Sequence, residues 1–264
     1  MEKISLPKKI EFKDGAQLHE GSAIVEPLYP GYGMTVGNSL RRVLLSSLPG
    51  AAVVGVKIKG ASHEFMAIPN VKEDVLEIVL NLKQLRFKMH SEEEIKLELS
   101  VSGKKAVKAS DITKNSQVEI INPELVLANI TDPAGNLNME IYIQPGRGYQ
   151  MSEGDKKASN EIGFIEVDAV FSPILAVSSN VENVRVGKMT NWDKLIINIK
   201  TDGTITYEEA FKESVQILID QFNALLSGPE VKEEVELEAE EEAVVEKIKE
   251  VKEKKPKKLK NKFI

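Results

Sequence analysis

Period-two alternation of apolar and polar residues runs through the middle of this chain and does most to limit its fold. Val54, Val56 and Ile58 alternate with Gly55 and Lys57, and Ile95, Leu97, Leu99 and Val101 with Lys96, Glu98 and Ser100. Leu137, Met139, Ile141 and Ile143 repeat the pattern. Successive side chains of a strand point to opposite faces, so each run predicts a strand with one wet face, the signature of antiparallel sheet. One helix interrupts the series. Val71, Val75, Ile78, Val79 and Leu82 share a helical face between Asn70 and Lys83. Asp132-Pro133-Ala134-Gly135 reads as a turn. The section 51–173 is therefore mostly β.

On either side of it the chain returns to strands joined to a helix. Residues 1–30 predict strands at Ile4-Ser5-Leu6, Ile10-Glu11-Phe12 and Ala23-Ile24-Val25, with Pro27 marking an edge or a bulge. A helix is expected from Thr35, as its N-cap, to Leu48, with Pro49-Gly50 as the stop. Val36, Leu40, Val43, Leu44 and Leu48 line one face of it, and Asn38, Arg42 and Ser46 the other. Downstream of residue 174, Val184-Arg185-Val186 and the alternating Leu195, Ile197 and Ile199 predict two strands closing on the Asp202-Gly203 turn. Thr206 and Glu209 form a capping box for a last helix that ends before Gly228-Pro229. Its Phe211, Val215, Leu218, Phe222 and Leu225 follow heptad spacing, the pattern of one helix lying along another, and the helix at 35–48 is the obvious partner, from this chain or a second copy. Residues 230–264 form a charged tail, helical or disordered, with eight glutamates over 230–242 and nine lysines over 247–262.

Several chemistries are excluded or weakly marked. The chain of 264 residues has no cysteine, which removes disulfides, thiolate metal sites and thiol nucleophiles and fits a reducing compartment. His19, His63 and His90 are unpaired at ligand spacing, and His63-Glu64 reads as a surface pair on a strand. No metal or cofactor site is expected, and no catalytic residue stands out. Gly31-x-Gly33-x-x-x-Gly37 resembles a phosphate-cradling loop, but its third glycine is one residue late for the dinucleotide fingerprint. The alternative is backbone fitting: a tight turn, and a close approach at Gly37. Gly146-Arg147-Gly148-Tyr149 is a small basic turn that could touch phosphate or a partner. A net charge of −6 argues against a surface that grips nucleic acid throughout, although the lysine-rich end could do so locally. No apolar run reaches membrane-spanning length and the N-terminus lacks the apolar stretch of a leader, so a cytoplasmic protein is expected.

Taken together, the segments have a familiar order. The run from Gly31 to Ser47, with Asn38-Ser39-Leu40-Arg41-Arg42-Val43-Leu44-Leu45 at its centre, resembles the signature helix of the bacterial RNA polymerase alpha subunit family. Glu73–Ile78 with Asn81-Leu82-Lys83, Gly146–Tyr149, Val167–Pro173, Val181–Gly187, Asp193-Lys194-Leu195 and Thr201–Ile205 follow in the family's order. The resemblance covers about residues 1–228. It implies an α+β fold in which residues 1–48 and 174–229 build a discontinuous dimerization subdomain, a mixed sheet plus two long helices. Residues 49–173 would be an inserted β-rich subdomain. It implies a homodimer that recruits the beta and beta-prime subunits, with omega and sigma in the assembled enzyme and DNA reached only through the complex. This chain would then be a non-catalytic subunit of a nucleotidyltransferase. Arg42 matches the arginine that the family associates with the beta subunit, with Arg41, Asn38 and Ser46 beside it. Leu40, Leu44, Phe211, Val215, Leu218, Phe222 and Leu225 are expected at the dimer interface. Two departures stand out. The family usually continues into a small helical C-terminal DNA-binding domain, whereas only the charged run 230–264 follows here, as expected of a naturally short chain or of a truncated sequence, and Ser179 stands where the family commonly has an aromatic.

Overall fold

The computed structural model describes residues 4–152 and 163–227. The expected tail at 230–264 lies outside them. The elements run β1 (Lys9–Asp14), β2 (Glu20–Leu28), α1 (Tyr32–Ser46), β3 (Pro49–Ile58), α2 (Val75–Leu82), β4 (Phe87–Met89), β5 (Ile95–Ser102), β6 (Ala106–Lys108), β7 (Val118–Ile120) and β8 (Val126–Asn129). Then come β9 (Asn136–Arg147), β10 (Tyr149–Gln150), β11 (Phe164–Glu166), β12 (Ala169–Val170), β13 (Ile174–Val186), β14 (Met189–Thr201) and α3 (Tyr207–Ser227). The class is α+β with antiparallel pairing, as the alternation predicts. The sheet from the two ends of the chain is antiparallel throughout where the resemblance implies a mixed one, because its strands are joined by turns or by returns from the far end of the chain. The chain divides into two compact units between Leu218 and Ile219. The sheets and both cores described next belong to the first.

Two four-stranded sheets carry separate cores. One has the order β1-β2-β14-β13 and draws on both ends of the unit. Its Ala23 and Val25 lie beside Ile197 and Leu195, and this face is buried with Leu40, Leu44 and Leu48 of α1 and Ala210 and Phe211 of α3. The other sheet, β11-β3-β9-β5, packs its inward positions Val56, Ile58, Leu97, Leu99, Ile141 and Ile143 with Ile78 and Leu82 of α2. Alternation is obeyed residue by residue along β5 and along β9 as far as Gln144.

Several boundaries differ from expectation. Ile4–Leu6 is not a strand. Pro27 does sit at a bulge: Leu28 pairs with Asp193 but Val25 with Leu195, leaving β2 one extra residue. The second helix starts only at Val75, because the Asp74 carboxylate accepts the Glu77 N–H at 2.7 Å and caps it there. Val71 is left outside, in a bridge to Ile130. His63 lies in a bend, not a strand. The capping box of α3 forms as read, with Thr206 Oγ1 accepting the Glu209 N–H and the Glu209 carboxylate accepting the Thr206 N–H, both at 3.2 Å.

The heptad seam of α3 does not begin against a helix. Phe211 packs edge-on against Phe12 of β1 with ring centroids 5.7 Å apart, and Val215 and Leu218 pack against the same sheet core. The Tyr207 ring covers Gly21, and its hydroxyl donates to Asp14 Oδ1 at 2.7 Å. That bond, with desolvation and the Asp14 charge behind it, pushes the hydroxyl up from 10.0 to about 12. The neutral phenol is the form the fold favours, so its contribution is complete below pH 10 and disappears as pH rises towards 12. Tyr207→Phe is expected to lower the unfolding midpoint below pH 10, with the gap from the parent closing between pH 10 and 12. Denaturant melts across that range check it, and a constant gap would exclude the bond as its source.

Candidate subunit-docking surfaces

Helix α1 begins three residues before the expected Thr35 cap. Gly31, at φ 87°, turns the chain into it. The acceptor comes from far along the sequence: Asp193 Oδ2, on β14, receives the N–H groups of Gly31 and Gly33, each at 2.9 Å. Asp193 is only 8% exposed. A carboxylate at this position satisfies two of the orphan donors of the first turn and complements the positive end of the helix dipole. The phosphate-cradle reading of the Gly31–Gly37 loop fails for this reason, since its amides already hold the chain's own anion. Thr35 instead hydroxyl-bonds back to the Gly31 carbonyl at 3.4 Å.

The glycines on the inner face of α1 set how closely it can lie on the sheet. A Cβ at Gly33 would stand 2.8 Å from Val181 Cγ1, and one at Gly37 would stand 2.8 Å from Leu195 Cδ1 with Ser179 next beyond. The small Ser179 thus faces Gly37 across a close helix–sheet contact. Leu40 and Leu44, 3% and 0% exposed, continue that face into the core, as does Phe211 from α3 at 5%. These three expected dimer residues are interior side chains of the single chain. They can support an interface but do not form its surface.

The outer face of α1 is open. Met34, Asn38, Arg41, Arg42, Leu45 and Ser46 are all exposed along it. The four residues expected to meet a partner are thus brought onto one surface, flanked by apolar Met34 and Leu45. Among the described residues neither Arg41 nor Arg42 has an ion-pair or hydrogen-bond partner for its guanidinium. Ser46 differs: its hydroxyl donates to the Arg42 carbonyl at 2.8 Å, so it reinforces the helix end.

A turn unmarked as a neighbour in the sequence joins this end. A side chain on Gly148 would begin 3.5 Å from the Ser46 carbonyl, which brings the exposed Arg147 and Tyr149 to the C-terminal end of α1. Desolvation and Asp168 push the Tyr149 hydroxyl up. Asp168 itself is held below the usual carboxylate range by the N–H and hydroxyl of Ser152, both at 3.0 Å, with Lys83 Nζ at 3.6 Å. No local signal ties Asp193 or Arg147 to α1, because both contacts span more than a hundred residues.

The second unit shows its own feature. Where α3 passes Leu218, Ile219, Phe222, Leu225 and Leu226 are all exposed, Phe222 at 57% and Leu225 at 78%. Phe222 and Leu226 lie three and seven residues after Ile219, so they share one apolar face. Among the described residues no three His, Asp or Glu side chains cluster as a metal site, and no helix is long and apolar enough to cross a membrane.

Known proteins point the same way. Residues 56–172 match the model of the RNA polymerase Rpb3/RpoA insert domain. The chain is 46% identical over 222 residues to the DNA-directed RNA polymerase subunit alpha of Carboxydothermus hydrogenoformans, covering 84% of this chain and 71% of that one. It is 47% identical over 222 residues to the same subunit of Desulforamulus reducens, covering 84% and 70%. Against that of Oceanobacillus iheyensis it is 44% identical over 244 residues, 92% of this chain and 77% of the relative. With identity at this level over more than four fifths of its length, the chain belongs to the family of DNA-directed RNA polymerase alpha subunits.

Proposed function

We propose that the chain is the assembly scaffold of a DNA-directed RNA polymerase: two copies pair, and the pair holds the large beta and beta-prime subunits. The observation that carries this reading is the outer face of α1, where two exposed arginines, without a partner among the described residues, and flanking apolar residues stand on a helix locked to the sheet beneath. Nucleotidyl transfer and its metal ions belong to the large subunits, and no cofactor is assigned to this chain. Omega and sigma join in the assembled enzyme, DNA is met through the complex, and the cytoplasm is the place of work.

The division of labour follows the two cores. Residues 1–48 with 174–229 are proposed as the dimerization subdomain and 49–173 as the insert, in line with the separate apolar clusters and the insert-domain match at 56–172. Phe222 and Leu225 are proposed to carry the surface of the dimer interface, and Val215, Leu218, Leu40, Leu44 and Phe211 are proposed to contribute to it as well.

Arg42 is the proposed anchor for the beta subunit. A guanidinium offers a planar fork of donors that an ammonium cannot copy. Arginines at the centre of an interface cost about 2 kcal/mol on truncation, roughly 30-fold in affinity. Arg42→Ala is therefore expected to weaken binding of purified beta subunit about 30-fold, and Arg42→Lys to rescue little of it. Unchanged affinity in a titration with the beta subunit would refute the assignment.

A further inference from the structure

The two cores meet where the chain passes from one to the other. The chain crosses from one core to the other at Leu48–Gly50 and returns at Phe171–Ile174. At this crossing the buried Phe171 ring covers Gly146, and its carbonyl lies against Gly50. Two crossings of the chain do not by themselves set the angle between the cores, so that angle depends on the contacts that span the joint.

Among the described residues one ion pair spans it. Arg86 follows α2 on the insert side, and Asp202 ends β14 on the other. Arg86 Nε stands 3.4 Å from Asp202 Oδ2, with the side chains 29% and 7% exposed. Both partners are held in place by their own surroundings. Arg86 Nη1 donates to the Lys83 and Leu85 carbonyls, each at 3.1 Å, and the Arg86 N–H donates to Asn122 Oδ1 at 3.0 Å. Asp202 Oδ1 accepts the N–H and hydroxyl of Thr204 at 3.0 and 2.6 Å, and the Asp202 N–H donates to the Pro173 carbonyl at 3.0 Å. The next residue adds an apolar contact. A Cβ on Gly203 would lie 3.1 Å from the His19 imidazole and 3.2 Å from Ile121 Cγ2, so the β1–β2 turn, the segment after β7 and the end of β14 meet at one point.

We propose that the Arg86–Asp202 pair is the pin that sets the angle between the two cores, which makes Arg86 a positioning residue for the scaffold. A scaffold that holds large partners must present its surfaces at a fixed angle, and a preset angle lowers the ordering cost of binding. The consequence rests on the scaffold reading above; the geometry of the pin does not.

The test is a distance between the cores. The chain has no cysteine, so spin labels placed at Lys13→Cys on β1 and Lys104→Cys beyond β5 attach nowhere else. With labelled chain diluted in excess unlabelled chain, pulsed dipolar spectroscopy reads the distance within one molecule, whatever the outcome of the Arg42 titration. Arg86→Ala is expected to broaden the distance distribution about twofold. Asp202→Asn, which keeps an oxygen for Thr204 but removes the charge, is expected to do the same. Because both remove one interaction, the double variant should broaden no further than either single. Distributions that superimpose on the parent in both single variants, or that broaden additively in the double, would overturn the proposal.

Discussion

Asp193→Ala is expected to lower the stability of the chain by about 3 kcal/mol. The carboxylate is buried and receives two backbone N–H groups at 2.9 Å, from Gly31 and Gly33. Alanine would leave the Gly33 donor buried without a partner, at a cost of about 1–3 kcal/mol, and would remove a charge-assisted bond to Gly31 and a favourable charge at the helix start. Asp193→Asn keeps an acceptor oxygen and loses only the charge, so about 1–2 kcal/mol is expected. In a chain of this size the alanine change corresponds to a fall of about 10 °C in Tm. Thermal and urea melts of the three proteins check both the size and the order. The effect should also reach function, because Asp193 anchors the start of the helix whose outward face carries Arg42 further along. An alanine variant as stable as the parent would remove the account of how this helix is held.

The second large effect concerns pairing. Phe222→Glu with Leu225→Glu is expected to shift the chain from dimer to monomer by more than about 100-fold in dissociation constant. Both side chains are exposed in the single chain, at 57% and 78%, so the substitutions remove little packing of the isolated protein. Each would bury a carboxylate at the centre of an apolar interface, where an unpaired charge is costly. Leu218→Glu is a poorer probe, since Leu218 packs partly against the chain's own sheet core and the change would mix unfolding with dissociation. Sedimentation over a concentration series checks the shift, with circular dichroism confirming that the variant keeps its fold. A double variant that remains dimeric would move the interface away from this end of α3.

What could be read from the sequence follows the range of the interactions. Alternation locates β3, β5, β9 and the end of β14, because each strand has one buried face and the pattern is carried by adjacent residues. The capping box at Thr206 and Glu209 is local and was legible for the same reason. The outward placement of Asn38, Arg42 and Ser46 follows from helical spacing alone. Misreadings arise where a distant group decides. Thr35 is a reasonable cap by composition, but Asp193 arrives from β14 and moves the start of the helix to Tyr32. The seam of α3 has true heptad spacing, yet its first residues meet Phe12 and the sheet, because spacing reports a buried stripe without saying what covers it. Leu40, Leu44 and Phe211 were grouped with the interface on the same ground. Arg86 and Asp202 carry no pattern at all; only the fold brings them together.

The central claim is that paired chains offer the outer face of α1 to a large catalytic subunit. Native mass spectrometry of the purified chain mixed with the beta subunit tests it most directly. The account predicts a free dimer that takes up the beta subunit as a complex containing two copies of this chain, and for Arg42→Ala the free dimer with little of that complex. A chain that stays monomeric and binds the beta subunit one to one, or an Arg42→Ala chain that forms the complex as readily as the parent, would contradict it.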